Sequence, residues 1–398
     1  MPSVRPFIGL LYDPAVAGPL ETVTAPPYDV ISPGDQEQLY GASPFNLVRL
    51  ILAREEADDD ASGNRYSRAA AHVREWRARG VLVPTEGLGV YPYEMEFQLE
   101  GRRRRVRGVI VEAELEPWGG SIVPHERTLP GPIEDRLALL QTVQANLSPV
   151  YAVSVPEGHR ANRRELSDFL EEETALPPLR EVVDESGTRH RLWASAEGAA
   201  LVARAMRDQR LMIADGHHRY AVALIYREAM RAVAGAGPWD AIMMLVVDAA
   251  EEDPPVLPIH RALVRGKAPA AEAGARVRDL AEILATLHDE DLRYGTVSEE
   301  NRQLVHRIAR LEGEPPTVCA LHEQLLDRAP GLELRYLPDA AAVERLVVEG
   351  EASAAYLLPP STVERVWRVV RAGRMLPQKS TYFWPKPRTG LVIRPLTL

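Results

Sequence analysis

The chain of 398 residues contains a single cysteine, Cys319, so no intramolecular disulfide can form and a cysteine-built zinc site is excluded. A lone thiol also points to a reducing, cytoplasmic setting. The first residues, Met1-Pro2-Ser3-Val4-Arg5-Pro6-Phe7, lack the basic start and apolar stretch of a secretory signal. No apolar run approaches membrane-spanning length; Ala241 to Val247 is closed by Asp240 and Asp248. Internal repeats and long low-complexity segments are missing as well. Lysine is scarce: of 47 basic residues only Lys267, Lys379 and Lys386 are not arginine. Two of the three lie in the segment Pro377 to Lys386, where a compact, pKa-adjustable ammonium offers what a planar guanidinium cannot.

What is present is ordinary for a globular protein: 45% hydrophobic and 26% charged residues, in a chain long enough for two or three domains. A net charge of -10 argues against a general nucleic-acid binder but leaves room for one basic pocket that takes a phosphorylated small molecule or nucleotide. Helical and strand patterns alternate without a fixed order, which predicts an α/β or mixed α+β protein with mixed sheets flanked by helices. We expect an N-terminal α/β region over 1–155, a central region over 156–250 and a C-terminal α/β region over 251–398. Val90 to Glu100 and Val106 to Leu115 read as a hairpin turning through Gly101 and the four arginines 102–105, taken as a solvated turn. Pro132 to Ala145, Arg160 to Glu173, Ala196 to Arg207, Val277 to Leu287, Glu299 to Arg310 and Thr362 to Arg371 read as helices. Val150 to Val155, Ala241 to Val247, Thr317 to Leu321, Ala354 to Leu358 and Gly390 to Ile393 read as strands.

The most informative segment is Leu211 to Ile225. An apolar run suited to a buried strand gives way to Asp215-Gly216-His217-His218-Arg219, and Tyr220 to Ala229 has the pattern of a helix. The first N–H groups of a helix are unpaired within it and carry the positive end of its dipole, so a strand-to-helix turn is suited to an anion. Gly216 allows a tight turn, Arg219 can grip a phosphate through two parallel hydrogen bonds, and Asp215 stands where a metal-binding or proton-accepting carboxylate would be placed. The plainer reading makes Asp215 the cap of an ordinary helix. Adjacent histidines point about 100° apart on a helix, so His217 and His218 are not expected to share one metal.

Two further constellations carry chemistry. His125-Glu126-Arg127-Thr128 sits in a proline-bounded loop, where His125 could move protons and Glu126 could orient it; the plainer reading is a turn before an acid-rich helix start. Lys379-Ser380-Thr381 joins a scarce lysine to two hydroxyls, although no glycine-rich loop precedes it and it is not a nucleotide-binding P-loop. Asn146 is read as a helix end, and His260-Arg261 as ordinary core or surface residues.

Six ordered segments, Ala25 to Ile31, Asn46 to Leu50, His125 to Thr128 with Asp135-Arg136, Asn146 to Tyr151, Ala214 to Tyr220 and Pro377 to Lys386, resemble the domain-of-unknown-function family 1015. They span nearly the whole chain. More distantly, Asp215 to Arg219 resembles the Asp-Gly-His-x-Arg segment of the ParB/sulfiredoxin-like fold. That fold hosts free-serine kinases and nucleotide-hydrolysing segregation proteins, and places the segment at a helix start against nucleotide phosphates. The resemblance implies a ParB/sulfiredoxin-like core with additional α/β regions, and a phosphotransfer enzyme for a small metabolite, kinase- or phosphatase-like, with serine or phosphoserine first in line. ATP or ADP would be the phosphate donor. The resemblance to the kinases carries over only to Asp215 through Arg219; on their own chemistry, Gly216, Arg219, Arg127, Lys379, Ser380 and Thr381 would hold phosphate, and Asp29 or Asp215 would bind Mg²⁺. Asp215, His217, His218, His125 and Glu126 would share the catalytic work. The alternatives are a nucleotide-responsive regulatory protein without turnover, and a hydrolase with His125, Glu126, Asp215 and His217 as metal ligands.

Overall fold

A computed structural model describes residues 2–126, 130–155, 160–270 and 273–397; the side chains of 130–132 and 160–162 lie outside that description. It shows a mixed α+β protein with mixed sheets and helices. Its contacts group the chain into two units: Met1–Pro124, Thr128–Asp253 and Pro385–Leu398 in one, His125–Arg127 and Pro254–Trp384 in the other.

The first unit is built on a nine-stranded sheet, ordered Ile122–Val123, Leu211–Asp215, Val150–Ser154, Ala241–Asp248, Arg102–Glu114, Tyr91–Leu99, Arg189–Leu192, Arg180–Val183, with Val4–Arg5 beside Arg102–Glu114. Strands from both sides of position 155 pair in it. Ala241–Asp248 runs parallel to Val150–Ser154 and Leu211–Asp215 parallel to Ile122–Val123, while the other pairs are antiparallel. Ala241–Asp248 is buried along its whole length, as expected of a central strand covered on both faces. Val109, Val111, Ile213, Met244 and Val246 form the core with Leu166, Phe169, Val202, Met206, Tyr220 and Ala223 from helices Arg160–Thr174, Gly198–Met206 and His217–Ala234. The first hairpin turns earlier than its composition suggests. Glu100 and Gly101 both have positive φ, and the four arginines are strand residues, with Arg103 donating to Glu96 at 2.5 Å.

The second unit has a six-stranded antiparallel sheet, ordered Ala275–Val277, Gln303–Arg310, Arg293–Glu300, Ala354–Leu357, His260–Arg265, Glu333–Leu337. Ala262, Val297 and Leu357 pack with Ile283 of helix Leu280–Thr286 and Val343 and Leu346 of helix Ala340–Val348. Three expectations fail in this unit. Glu299 to Arg310 is not a helix: Asn301 and Arg302, both with positive φ, make a two-residue turn between strands. Its period of two is hidden because polar residues are buried through partners, His306 against Glu344 at 2.5 Å and Arg307 against Glu300 at 2.9 Å. Thr317–Leu321 is helical rather than extended, and it runs into a π-helical turn, His322–Leu326; its apolar run is too short for periodicity to decide. The helix expected from Val277 starts at Leu280, after Asp279 caps it by accepting from Glu282 N–H at 2.9 Å. Among the described residues no helix is long and apolar enough to cross a membrane.

Candidate functional site

In the first unit the strand Leu211–Asp215 loses register with Val150–Ser154 between Ile213 and Asp215, the kind of irregularity that re-aims a strand's last side chain. Gly216 follows with φ +96°, a left-handed conformation natural to glycine; a Cβ there would also come within 3.0 Å of the Arg219 guanidinium. The helix then starts at His217, three residues before its apolar pattern suggests, and runs 18 residues to Ala234. His217, His218 and Arg219 therefore occupy its first turn, and Gly216 provides no side-chain cap.

Asp215 is not that cap either. Its carboxylate is paired with Arg219 through Nη2 and with Lys386, whose Nζ lies 2.8 Å from Oδ1. The same ammonium is 2.5 Å from Asp29 Oδ2. Burial opposes ionisation of Asp215, but Lys386 and Arg219 outweigh it, with a smaller effect from His217, and hold the carboxyl well below the usual carboxylate range. Burial likewise opposes the charge on Lys386, and Asp215 and Asp29 more than restore it, keeping the ammonium above its ordinary range. Asp215 is thus a fixed anion and Lys386 a fixed cation at neutral pH. The Lys386 ammonium sits between the two carboxylates where Mg²⁺ would have to bind, so the donor set fits a metal only if the lysine moves.

Arg219 also donates through Nη1 to Ser148 Oγ at 2.9 Å and to the Pro149 carbonyl, while its Nε is buried without a hydrogen-bond partner among the described residues. Arg219 and Ser148 line a cavity of about 70 Å³ with Tyr28, Arg136, Asn146 and the apolar side chains Ile51, Leu139, Leu140, Leu147, Val222 and Ile242. The Arg136 guanidinium lies 4.2 Å from the centre of the Tyr28 ring, and Asp135 and the Ile51 carbonyl accept from it at 2.6 Å each. Asn146 has a structural role as well, its Oδ1 accepting from Met243 N–H and Arg394 Nη1 at 3.0 Å each. An apolar chamber with cations at its wall suits a ligand with an organic body and an anionic end.

The second unit holds a separate polar cluster. Glu126 accepts from the N–H groups of Lys379 and Ser380 at 2.9 Å, and from the N–H and hydroxyl of Thr381 at 3.1 Å each. The fully buried His125 places Nε2 2.6 Å from Thr381 Oγ1. With the Thr381 hydroxyl donating to Glu126, this ring nitrogen is assigned as a donor. Ser380 Oγ donates to the Pro377 carbonyl at 2.5 Å. Arg127 falls outside the described residues.

The structure therefore brings Asp29, Asp215, Gly216, His217, His218 and Arg219 together in one unit, and His125, Glu126, Lys379, Ser380 and Thr381 together in the other. Lys386, Ser148, Arg136 and Tyr28 are absent from the residues chosen on sequence. Lysine scarcity points to Lys379 and Lys386 alike, and the hydroxyl neighbours of Lys379 favour it on sequence, whereas Lys386 is the one in the Asp29–Asp215 cluster. Among the described residues the group of three or more side chains close enough to hold a metal together is Glu56, Asp58 and Asp59, and none of Asp215, His217, His125 and Glu126 belongs to it.

A family model described as a protein of unknown function (DUF1015) matches residues 4–324. No curated protein matches the sequence. Among solved structures, a conserved hypothetical protein from Pyrococcus furiosus is 16% identical, with a TM-score of 0.37, over 71% of this chain and 95% of that one. A free serine kinase in complex with AMP is also 16% identical at a TM-score of 0.37, over 71% of this chain and 92% of its own. C-terminally truncated SbnI from Staphylococcus aureus is 11% identical, with a TM-score of 0.36, over 71% and 87%.

Proposed function

We propose that this chain, which belongs to the DUF1015 family, is a phosphotransfer enzyme that seats a phosphorylated small molecule at the start of helix His217–Ala234. The observation that carries this reading is the join of a glycine-led helix start to a buried Asp215–Arg219–Lys386–Asp29 charge cluster beside a largely apolar cavity. The helix start and Arg219 would hold the phosphate, with Lys386 neutralising charge as it develops. The cavity would take the organic body, and the polar Ser148 and Asn146 would orient it. Asp215, kept ionised, serves as an electrostatic anchor for Arg219 and Lys386 and not as the proton acceptor. His217, buried at the first helical residue, is the proton-transfer group, and His218 is the alternative. Serine and O-phosphoserine are the first substrates to try, with ATP or ADP as donor or acceptor, on the likeness of Asp215 to Arg219 to the segment of the free-serine kinases. Any Mg²⁺ would arrive with the nucleotide and meet Asp29 or Asp215 after Lys386 shifts.

A second reading, nucleotide binding without turnover, is favoured by one observation: Lys386 already neutralises both Asp29 and Asp215, leaving neither as a base. Turnover separates the two. In ³¹P NMR with Mg²⁺, phosphoserine consumption, or its formation from serine and ATP or ADP, should occur and should stop in His217→Ala. Nucleotide that raises the melting temperature through Arg219 while no phosphorus signal changes would establish the second reading instead.

A further inference from the structure

We propose that Lys379, Ser380 and Thr381 form an anion site in the second unit, that Glu126 is its built-in occupant, and that a phosphate group, free or esterified, takes the place of Glu126 when that side chain leaves. Three consecutive backbone N–H groups converge on one carboxylate at 2.9, 2.9 and 3.1 Å, and the Thr381 hydroxyl adds a fourth donor at 3.1 Å. Successive N–H groups arranged this way make a concavity suited to oxyanions. The arrangement requires Lys379 at φ +55°, a left-handed conformation that a lysine adopts only at a cost.

Arg261 supplies the second, independent observation. Its residue is 0% exposed, yet no carboxylate forms an ion pair with it among the described residues, and its Nη2 is buried without a hydrogen-bond partner. Its contacts are the Ile259 carbonyl, at Nη1, His322 Nε2, 3.4 Å from its Nε, and the face of the Tyr336 ring, 5.4 Å from the ring centre. His322 opens the π-helical turn His322–Leu326 and is held by Asp327 at 2.9 Å. Such turns occur frequently at functional sites. A fully buried guanidinium short of an anionic partner is costly unless an anion completes it. Burial lowers the pKa of Arg261 to about 10, opposed by Tyr336 and then by the charge of Glu126, the one carboxylate among the described residues that acts on it. A small cavity of about 10 Å³ borders Ser380 and Thr381, adding to the volume that Glu126 would vacate.

The tethered Glu126 competes at high effective concentration, so the intact protein should bind phosphate weakly here. This inference rests on the second unit alone and does not depend on the reading of the Asp215 site. Its test is calorimetric titration of Glu126→Ala with inorganic phosphate and with O-phosphoserine, against a reference carrying Glu126. Both proteins carry Arg219→Met, so that phosphate held at Arg219 does not enter. Glu126→Ala should bind at least one of the two at least tenfold more tightly than the reference, and Arg261→Met should remove the gain. Tighter phosphoserine marks an ester as the ligand, and equal affinities mark free phosphate. A folded Glu126→Ala protein within twofold of the reference for both probes overturns the proposal. If Glu126→Ala does not fold, phosphate should restore its melting transition, and Glu126→Gln should bind phosphate more tightly than the reference. Failure of both also overturns it.

Discussion

Asp215 and Glu126 are both largely buried acids, yet each unit neutralises its acid differently. Asp215 is met by movable side-chain cations, Arg219 and Lys386, and shares the lysine with Asp29. Glu126 is met mainly by three backbone N–H groups, donors fixed by the path of the chain, with the Thr381 hydroxyl and, at 3.4 Å, His125 Nε2 beside them. Side-chain cations can turn from an internal carboxylate to a ligand and back without refolding, so the Asp215 cluster is suited to charge that changes during a reaction. A backbone nest holds whatever anion fits its shape, and suits occupancy more than chemistry. The first arrangement is also the more fragile, because one lysine serves two acids.

Removing that lysine should have the largest effect. Lys386→Met leaves Asp29 and Asp215 near each other without their shared cation, and should cost about 3–5 kcal/mol in urea unfolding, the range for breaking a buried pair. The loss should shrink when Asp29→Asn and Asp215→Asn are added.

Acid should separate the Asp215 carboxylate from the buried His260. His260 is buried beside Arg261, and burial first, then that arginine, push its pKa down to about 4. The unfolded chain then binds more protons than the folded one between about pH 6.5 and about 4, so stability should fall as pH falls through that window, by up to about 3 kcal/mol from this group. His260→Gln should flatten that part of a urea-midpoint profile. Asp215 contributes at lower pH: its stabilisation is complete above the unfolded carboxyl value and is lost only at more acid pH.

Gly216→Ala tests the turn itself. At φ +96° the substitution should cost about 1–2 kcal/mol and displace Arg219, weakening phosphate binding more than it weakens the fold. The smallest effect is expected at Cys319. Burial pushes its thiol up to about 12, so a thiol reagent at pH 8 should label it only after denaturation.

Much of the first unit was legible in the sequence because its elements follow simple rules. Ala241–Asp248 is apolar as far as its closing Asp248, and buried along its whole length. The strand–turn–helix around Gly216 was visible for the same reason. The second unit hid its strands behind buried polar pairs such as Arg307–Glu300, which no hydrophobic period reveals. Membership of the candidate site was partly legible: residue types pointed to Asp215 and Arg219, and lysine scarcity pointed to Lys379 and Lys386 alike. The occupation of Lys379, Ser380 and Thr381 by Glu126 was out of reach, because donors and acceptor lie about 250 positions apart.

The most direct measurement is calorimetric titration of O-phosphoserine, ATP and ADP into the wild-type protein and Arg219→Met. At least one ligand should bind the wild type, with its Kd raised tenfold or more in the variant while the fold is retained. A folded wild type that binds none of them, or binding that Arg219→Met leaves unchanged, would contradict a phosphate site at the start of this helix.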